Sequence, residues 1–255
     1  NEGIYRAIIN AAMISPEETV IEVGPGLGFL TAELSKVARR VLAVELDDKL
    51  AGLLNIAVDA QGVENVEIIN QDILRFNPAE YLAEDDEYRV VANLPYNITS
   101  IFLRTFLSSL RPPRSLVLML QKEVAERIVQ TAPDMSLLSL SVQYYGTPTI
   151  VRIVPSSDFW PAPAVDSAIL RFDYTRPKPT AASILADKDF FRLARSAFSA
   201  KRKMLKNNLL AGLEISLVDL EKALAVADIN LKARAEDLNL EQWRLLVAAL
   251  SPFML

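Results

Sequence analysis

Two spacings of apolar residues alternate along the first half of the chain. Short, nearly continuous apolar runs fit strands buried on both faces, whereas apolar residues three and four apart fit helices that pack by one side. On this basis 19–24, 40–45, 66–70, 89–93 and 116–120 are predicted strands, and 29–37, 47–59, 99–110 and 122–130 are predicted helices. Strand and helix in alternation predict an α/β fold with a parallel, doubly wound sheet, whose ligands gather at the carboxyl ends of the strands. From 136 to 174 the pattern turns strand-like, at 140–145, 149–154 and 168–174, and these stretches are expected to complete the sheet. Thr175-Arg176-Pro177-Lys178-Pro179-Thr180 reads as an extended linker stiffened by alternate prolines. Beyond it the pattern is helical, with helices expected near 187–211, 216–226 and 239–250. A sheet domain over 1–178 and a small all-helical domain over 179–255 follow.

Composition narrows the chemistry. The 255 residues include no cysteine and no histidine, which removes disulfides, Cys/His zinc sites, Ser-His-Asp triads and thiolate nucleophiles. No metal site is expected, and the remaining carboxylates, amides and aromatics suit a reaction whose reactive group comes from a cofactor. No apolar run reaches a membrane span and no basic-then-apolar leader opens the sequence, so a cytoplasmic protein without membrane contact is expected.

The net charge of −5 argues at first against a nucleic-acid partner. The distribution reverses that expectation. Residues 190–213 contain no acid but hold Arg192, Arg195, Lys201, Arg202, Lys203 and Lys206. On one continuous helix, Arg192, Arg195, Arg202, Lys203 and Lys206 would share a stripe opposite Phe190, Leu193, Ala197 and Leu205. Arg195, Arg202, Lys203 and Lys206 are the expected phosphate contacts, with an ordinary solvated face as the alternative.

Glu22-Val23-Gly24-Pro25-Gly26-Leu27-Gly28 links a strand to a helix through glycines that permit close ligand approach. The G-x-G-x-G spacing, preceded by Glu22, points to S-adenosylmethionine rather than the G-x-G-x-x-G of nicotinamide proteins. Glu45, ending the second strand before Leu46, is placed to accept from ribose hydroxyls; a solvated acid is the plainer reading. Asp72, followed by Ile73, could accept from an adenine amine or serve as a helix N-cap, whereas Asp47 and Asp48 read as helix-start residues. The expected cofactor set is Glu22, Gly24, Gly26, Gly28, Glu45, Leu46, Asp72, Ile73 and Asn93.

Asn93-Leu94-Pro95-Tyr96-Asn97 follows the fourth strand, where a doubly wound sheet presents its crevice. An adenine amine is a weak nucleophile because its lone pair is delocalised into the ring. Two acceptors aimed at its N–H bonds, the Asn93 amide oxygen and the Leu94 carbonyl, would localise that pair. Pro95 holds Leu94 extended, and Tyr96 could stack on the base.

These motifs, with Gln71-Asp72, Leu120-Gln121-Lys122-Glu123-Val124-Ala125 and Phe159-Trp160-Pro161-Ala162-Pro163-Ala164-Val165-Asp166-Ser167, resemble the KsgA-type ribosomal RNA small-subunit adenine dimethyltransferases along nearly the whole chain. The resemblance implies a Rossmann-like class I methyltransferase sheet with helices on both faces and a small helical C-terminal domain. It also implies dimethylation of two adjacent adenines near the 3′ end of small-subunit ribosomal RNA, by a monomer that uses S-adenosylmethionine and partners the small ribosomal subunit. In the family, Asn93 and Leu94 would hold the amine while Tyr96 and Phe159 sandwich the flipped base; a core aromatic pair is the alternative for Phe159 and Trp160. Relatives usually carry a Gln-Asn-Phe segment before the point where this sequence begins, so weaker cofactor binding is expected of the sequence as given. Ala235 and Met135-Ser136-Leu137 also depart from the family pattern. Large-subunit dimethyltransferases of the antibiotic-resistance type and a nucleic-acid-binding assembly factor with little turnover remain as alternatives.

Overall fold

A computed structural model of the chain describes residues 2–95 and 98–253. The strands are β1 (Thr19–Val23), β2 (Arg40–Glu45), β3 (Val66–Asn70), β4 (Tyr88–Asn93), β5 (Ser115–Gln121), β6 (Gly146–Val154) and β7 (Ser167–Tyr174). They form one seven-stranded sheet in the order β3-β2-β1-β4-β5-β7-β6. The strands from β3 to β5 run parallel, and β7 joins antiparallel to both β5 and β6. β1 and β4 are neighbours in space but not in sequence, because the chain winds outward to β3 before returning. Their carboxyl ends therefore flank the switch-point crevice, where doubly wound sheets bind ligands.

Every residue of β1 is buried, as expected of a parallel strand covered on both faces. Helices α2 (Phe29–Leu34), α3 (Asp48–Ala60), α4 (Thr99–Leu107) and α5 (Lys122–Val129) follow the parallel strands. Helix α1 (Glu2–Ala12), which the pattern-based reading does not anticipate, buries Ile4, Ile8, Ala11 and Ala12 against a core that includes Val20, Val91, Val117 and Ile169. Gly146 opens β6 where a Cβ would lie 2.0 Å from the Asp173 carbonyl oxygen, so the close β6–β7 start requires glycine.

Two expectations are corrected. Residues 140–145 were expected as a strand, but Leu137–Gln143 is helix α6. The Leu-Ser-Val-Gln-Tyr alternation satisfies a two-residue period, yet Ser136 and Ser139 form a reciprocal capping box that starts a helix. The single helix expected at 187–211 is divided into α7 (Ala181–Ala197) and α8 (Leu205–Gly212). Buried Asn208 holds the intervening turn by donating to the carbonyls of Ala197, at 2.6 Å, and Ala200, at 3.1 Å.

The chain forms two compact units, Asn1–Ala125 with Gly146–Arg176, and Glu126–Tyr145 with Pro177–Leu255. Segment 126–145 thus groups with the helical residues rather than with the sheet. The helical unit also contains α9 (Leu217–Val226) and α10 (Leu240–Leu250). Its core stacks Tyr144 on Phe190, encloses Trp243, and satisfies the Tyr144 hydroxyl by donation to Asp187 Oδ1 at 2.8 Å.

Candidate active site

The glycine loop leaves β1 with Gly24, Gly26 and Gly28 all at positive φ. At Gly24 and Gly28 the left-handed backbone favours glycine, and each also has a close neighbour. Gly24 takes φ +68° where a Cβ would stand 3.4 Å from the Asn93 carbonyl oxygen, so the loop lies against the end of β4. At Gly28 a Cβ would fall 2.3 Å from Leu54 Cδ1 of α3.

Glu45 reaches this loop from the end of β2. The residue is 7% exposed, and its carboxylate accepts from the Gly26 N–H at 3.1 Å through Oε2 and from the Asp47 N–H at 3.0 Å through Oε1. Leu46 beside it is open to solvent. Asp47 caps α3 by accepting from Lys49 and Leu50, as the sequence indicates. Asp72 Oδ1 accepts from the Leu74 N–H at 2.9 Å, capping a turn rather than a helix, and Ile73 is buried in the core.

Glu22 is 2% exposed, and neither its Oε2 nor the nearby Thr31 Oγ1 has a hydrogen-bond partner among the described residues. Burial lifts its carboxyl to about 7; the nearby Thr31 hydroxyl pulls it down a little and the Glu45 charge adds to the rise. Thr31 was not singled out from sequence; its signal is its position in the first turn of the helix after the glycines.

Asn93 is the exposed last residue of β4, paired in register with Met119 of β5. Its side chain makes no hydrogen bond to the described residues. Leu94 turns its side chain into the core, and Pro95 accepts from the Ile98 N–H at 3.2 Å just before α4. Tyr96 and Asn97 lie outside the described residues. Phe159 is half-buried against the core cluster that includes Met119 and Ile169, so its ring serves the core at least in part. Trp160 stands 97% exposed.

The structure therefore gathers Glu22, Gly24, Gly26, Glu45 and Asn93 at the carboxyl ends of β1, β2 and β4. An unpartnered buried carboxyl group, a second carboxylate with acceptor capacity to spare and a close-approach glycine loop fit a ligand rich in hydroxyl and cationic groups. Among the described residues no cluster of acids could hold a metal ion.

The basic residues are arranged differently from the single stripe expected. Arg195 is exposed near the end of α7, while Arg202 and Lys203 are exposed in the turn before α8. Lys206 is half-buried on α8 and lies 3.9 Å from Glu221 of α9, which partly neutralises it. Arg192 is near Asp189 at 3.7 Å.

The model of the family described as ribosomal RNA adenine dimethylase matches residues 1–251. The chain belongs to that family. Over 244 residues it is 47% identical to Ribosomal RNA small subunit methyltransferase A of Dehalococcoides mccartyi strain CBDB1, covering 96% of this chain and 82% of the relative. The corresponding protein of Streptococcus sanguinis strain SK36 is 40% identical over 258 residues, covering 97% of this chain and 87% of the relative. Among solved structures, the family fold recurs in the 23S rRNA methyltransferase ErmE at 26% identity and TM-score 0.75, covering 98% of each chain. A dimethyladenosine transferase from Plasmodium falciparum shares the fold at TM-score 0.81 and 24% identity, covering 99% of this chain and 96% of that one.

Proposed function

We propose that this protein dimethylates the exocyclic amines of two adjacent adenines near the 3′ end of small-subunit ribosomal RNA. S-adenosylmethionine would supply an electrophilic sulfonium methyl group at the crevice. The observation that carries this reading is the end of β4 at the glycine loop, where the Asn93 backbone carbonyl lies against Gly24 and the residue itself is exposed. It belongs to a chain that resembles Ribosomal RNA small subunit methyltransferase A over 96% of its length.

In this reading the residues have separate tasks. Glu45 accepts from sugar hydroxyls with lone pairs that Gly26 and Asp47 leave over, and Glu22 and the three glycines form the floor. Asp72 Oδ2, not used by Leu74, accepts from the adenine of the cofactor, with Leu46 and Ile73 on either side. Asn93 and the Leu94 carbonyl hold the target amine while Tyr96 and Phe159 face the base. The reaction would need no histidine: as the amine nitrogen bonds to the methyl carbon the S–CH3 bond would break, leaving the neutral thioether S-adenosylhomocysteine, and the amine proton would pass to solvent at the open crevice. Residues 1–178 carry this chemistry, and 179–255 bind ribosomal RNA through Arg195, Arg202, Lys203 and Lys206. The protein acts as a monomer in the cytoplasm.

The test is incubation of small and large ribosomal subunits from an undermethylated strain with the protein and labelled S-adenosylmethionine, followed by mapping of the label. Dimethyladenosine at the 3′ end of small-subunit RNA is expected. Label confined to large-subunit RNA would move the protein to the resistance-type activity, and binding without label would make it an assembly factor.

A further inference from the structure

We propose that Trp160 is a stacking platform for the nucleotide next to the target adenine; the inference rests on the ribosomal RNA methylation reading and adds a residue to it. The chain has two tryptophans. Trp243 is wholly enclosed in the helical unit, whereas Trp160 is 97% exposed.

Position gives this exposed indole a meaning. The segment 155–166 joins the end of β6 to the start of β7. Ser167 pairs with Gln121, the last residue of β5, and Met119, two residues earlier, pairs with Asn93. The segment therefore stands at the end of the sheet where Asn93 meets the glycine loop. Strands lie about 4.8 Å apart, so β7 starts roughly two strand spacings from β4.

The segment is also anchored. Asp166 Oδ1 accepts from the Ser156 N–H at 3.0 Å, and the Asp166 carbonyl accepts from the Lys122 N–H at 3.0 Å. Phe159 is extended, with φ −111° and ψ 154°, and packs its ring against the cluster containing Met119. In an extended chain successive side chains point to opposite sides, so seating Phe159 inward turns Trp160 outward. Pro161 and Pro163 limit the backbone on its other side.

The chemistry of the occupant follows from the reaction. An adenine drawn out of a strand leaves the bases on either side of it without one stacking neighbour. A rigid, uncharged indole face beside the pocket replaces that neighbour whichever base it is. The adjoining Ala162 and Ala164 are small and exposed, offering room for a flat base but little area for a protein interface.

The experiment uses the full chain. Trp160→Ala is expected to lower kcat/KM for undermethylated small subunits about tenfold, mostly through KM, and Trp160→Phe to restore most of it. Cofactor affinity and melting temperature should be unchanged, since the indole touches solvent. Acrylamide should quench Trp160 fluorescence in the free protein, and a synthetic RNA hairpin with two adjacent unpaired adenines should protect it, with Trp243 as the enclosed background. Wild-type methylation together with an unimpaired Trp160→Ala enzyme and unchanged quenching overturns the inference alone. Wild-type protein that methylates no ribosomal RNA overturns the reading beneath it as well.

Discussion

Glu45 at the end of β2 accepts the backbone N–H of Gly26, nineteen positions earlier, at 3.1 Å. One carboxylate thus ties the second strand to the glycine loop while it keeps lone pairs for a ligand. Glu45→Ala removes a charged acceptor from ligand hydroxyls, each such bond contributing about 1.5–3 kcal/mol. Calorimetry should show S-adenosylmethionine affinity falling at least about tenfold. Unchanged affinity would move the hydroxyl contact to another residue.

Asn93 should separate catalysis from binding. Its side chain is exposed and bonded to no described residue, so Asn93→Ala should leave stability and cofactor affinity close to wild type. An acceptor that acts mainly in the transition state typically changes rate by on the order of 10²–10³. Single-turnover methylation that stays within a few-fold of wild type would take Asn93 out of the reaction.

Glu22 gives a pH signature with a definite sign. Its carboxyl is raised from the ordinary carboxylate value of 4.5 to about 7 by burial, so between those values the folded state holds a proton that the unfolded state has released. Stability from this group is present below pH 4.5 and is lost as pH rises toward 7. The loss is on the order of 3 kcal/mol at most, from the linkage of one pKa unit to 1.36 kcal/mol. Denaturant melts of wild type and Glu22→Gln across pH 4.5 to 7.5 should diverge with the wild type losing ground. Parallel curves would mean that Glu22 ionises freely in the fold.

Arg89 enters β4 as a buried cation. It donates to Glu18 Oε2 at 2.7 Å, to the Ala12 carbonyl at 3.0 Å and to Ser115 Oγ at 2.9 Å, which joins α1, β4 and β5. Burial would raise the Glu18 carboxyl, but the Arg89 hydrogen bond, the Ser15 N–H and the charges of Arg89 and Arg114 outweigh it and hold it low. Glu18 therefore stabilises the fold above its unfolded pKa and ceases to do so as pH falls. Arg89→Met should cost up to about 3 kcal/mol, because Glu18 loses its buried partner and keeps only the Ser15 N–H and the more exposed Arg114, and Glu18→Gln in the same chain should recover part of that. A double variant no more stable than Arg89→Met would assign the loss to packing at Ala12 and Ser115.

What could be read from the sequence, and what could not, divides along physical lines. β1, β2, β4 and β5 were legible because strands buried on both faces carry nearly continuous apolar runs with polar residues mainly toward their ends, and Gly24 to Gly28 because positive φ leaves few alternatives. The Asp47 cap was legible from local chemistry alone. The break between α7 and α8 was not, since it depends on Asn208 reaching carbonyls 8 and 11 residues back. Glu45 was readable as a strand-end acid, but its bonds to Gly26 and Asp47 form only once the loop has closed. The Arg89–Glu18 pair spans 71 positions and no spacing rule reaches it. Phe159 stays between its two readings, because its ring both packs on the core and lies in the loop at the crevice end.

The basic turn tests how an acidic chain can bind RNA. The break after α7 places Arg202 and Lys203 on exposed backbone beyond the exposed Arg195, while Lys206 is half-buried and near Glu221. Changing Arg195, Arg202 and Lys203 together to Glu should abolish binding to the small subunit and its methylation, with fold and cofactor affinity retained. Lys206→Glu should do less to RNA binding, since Lys206 is already partly neutralised. Single Ala substitutions at Arg195, Arg202 or Lys203 should each reduce the salt-dependence slope of binding by about 0.7–0.9 if each residue neutralises one phosphate. Lys206→Ala should lower it by less. A triple variant that binds subunits with wild-type affinity and slope would place the phosphate contacts outside this turn.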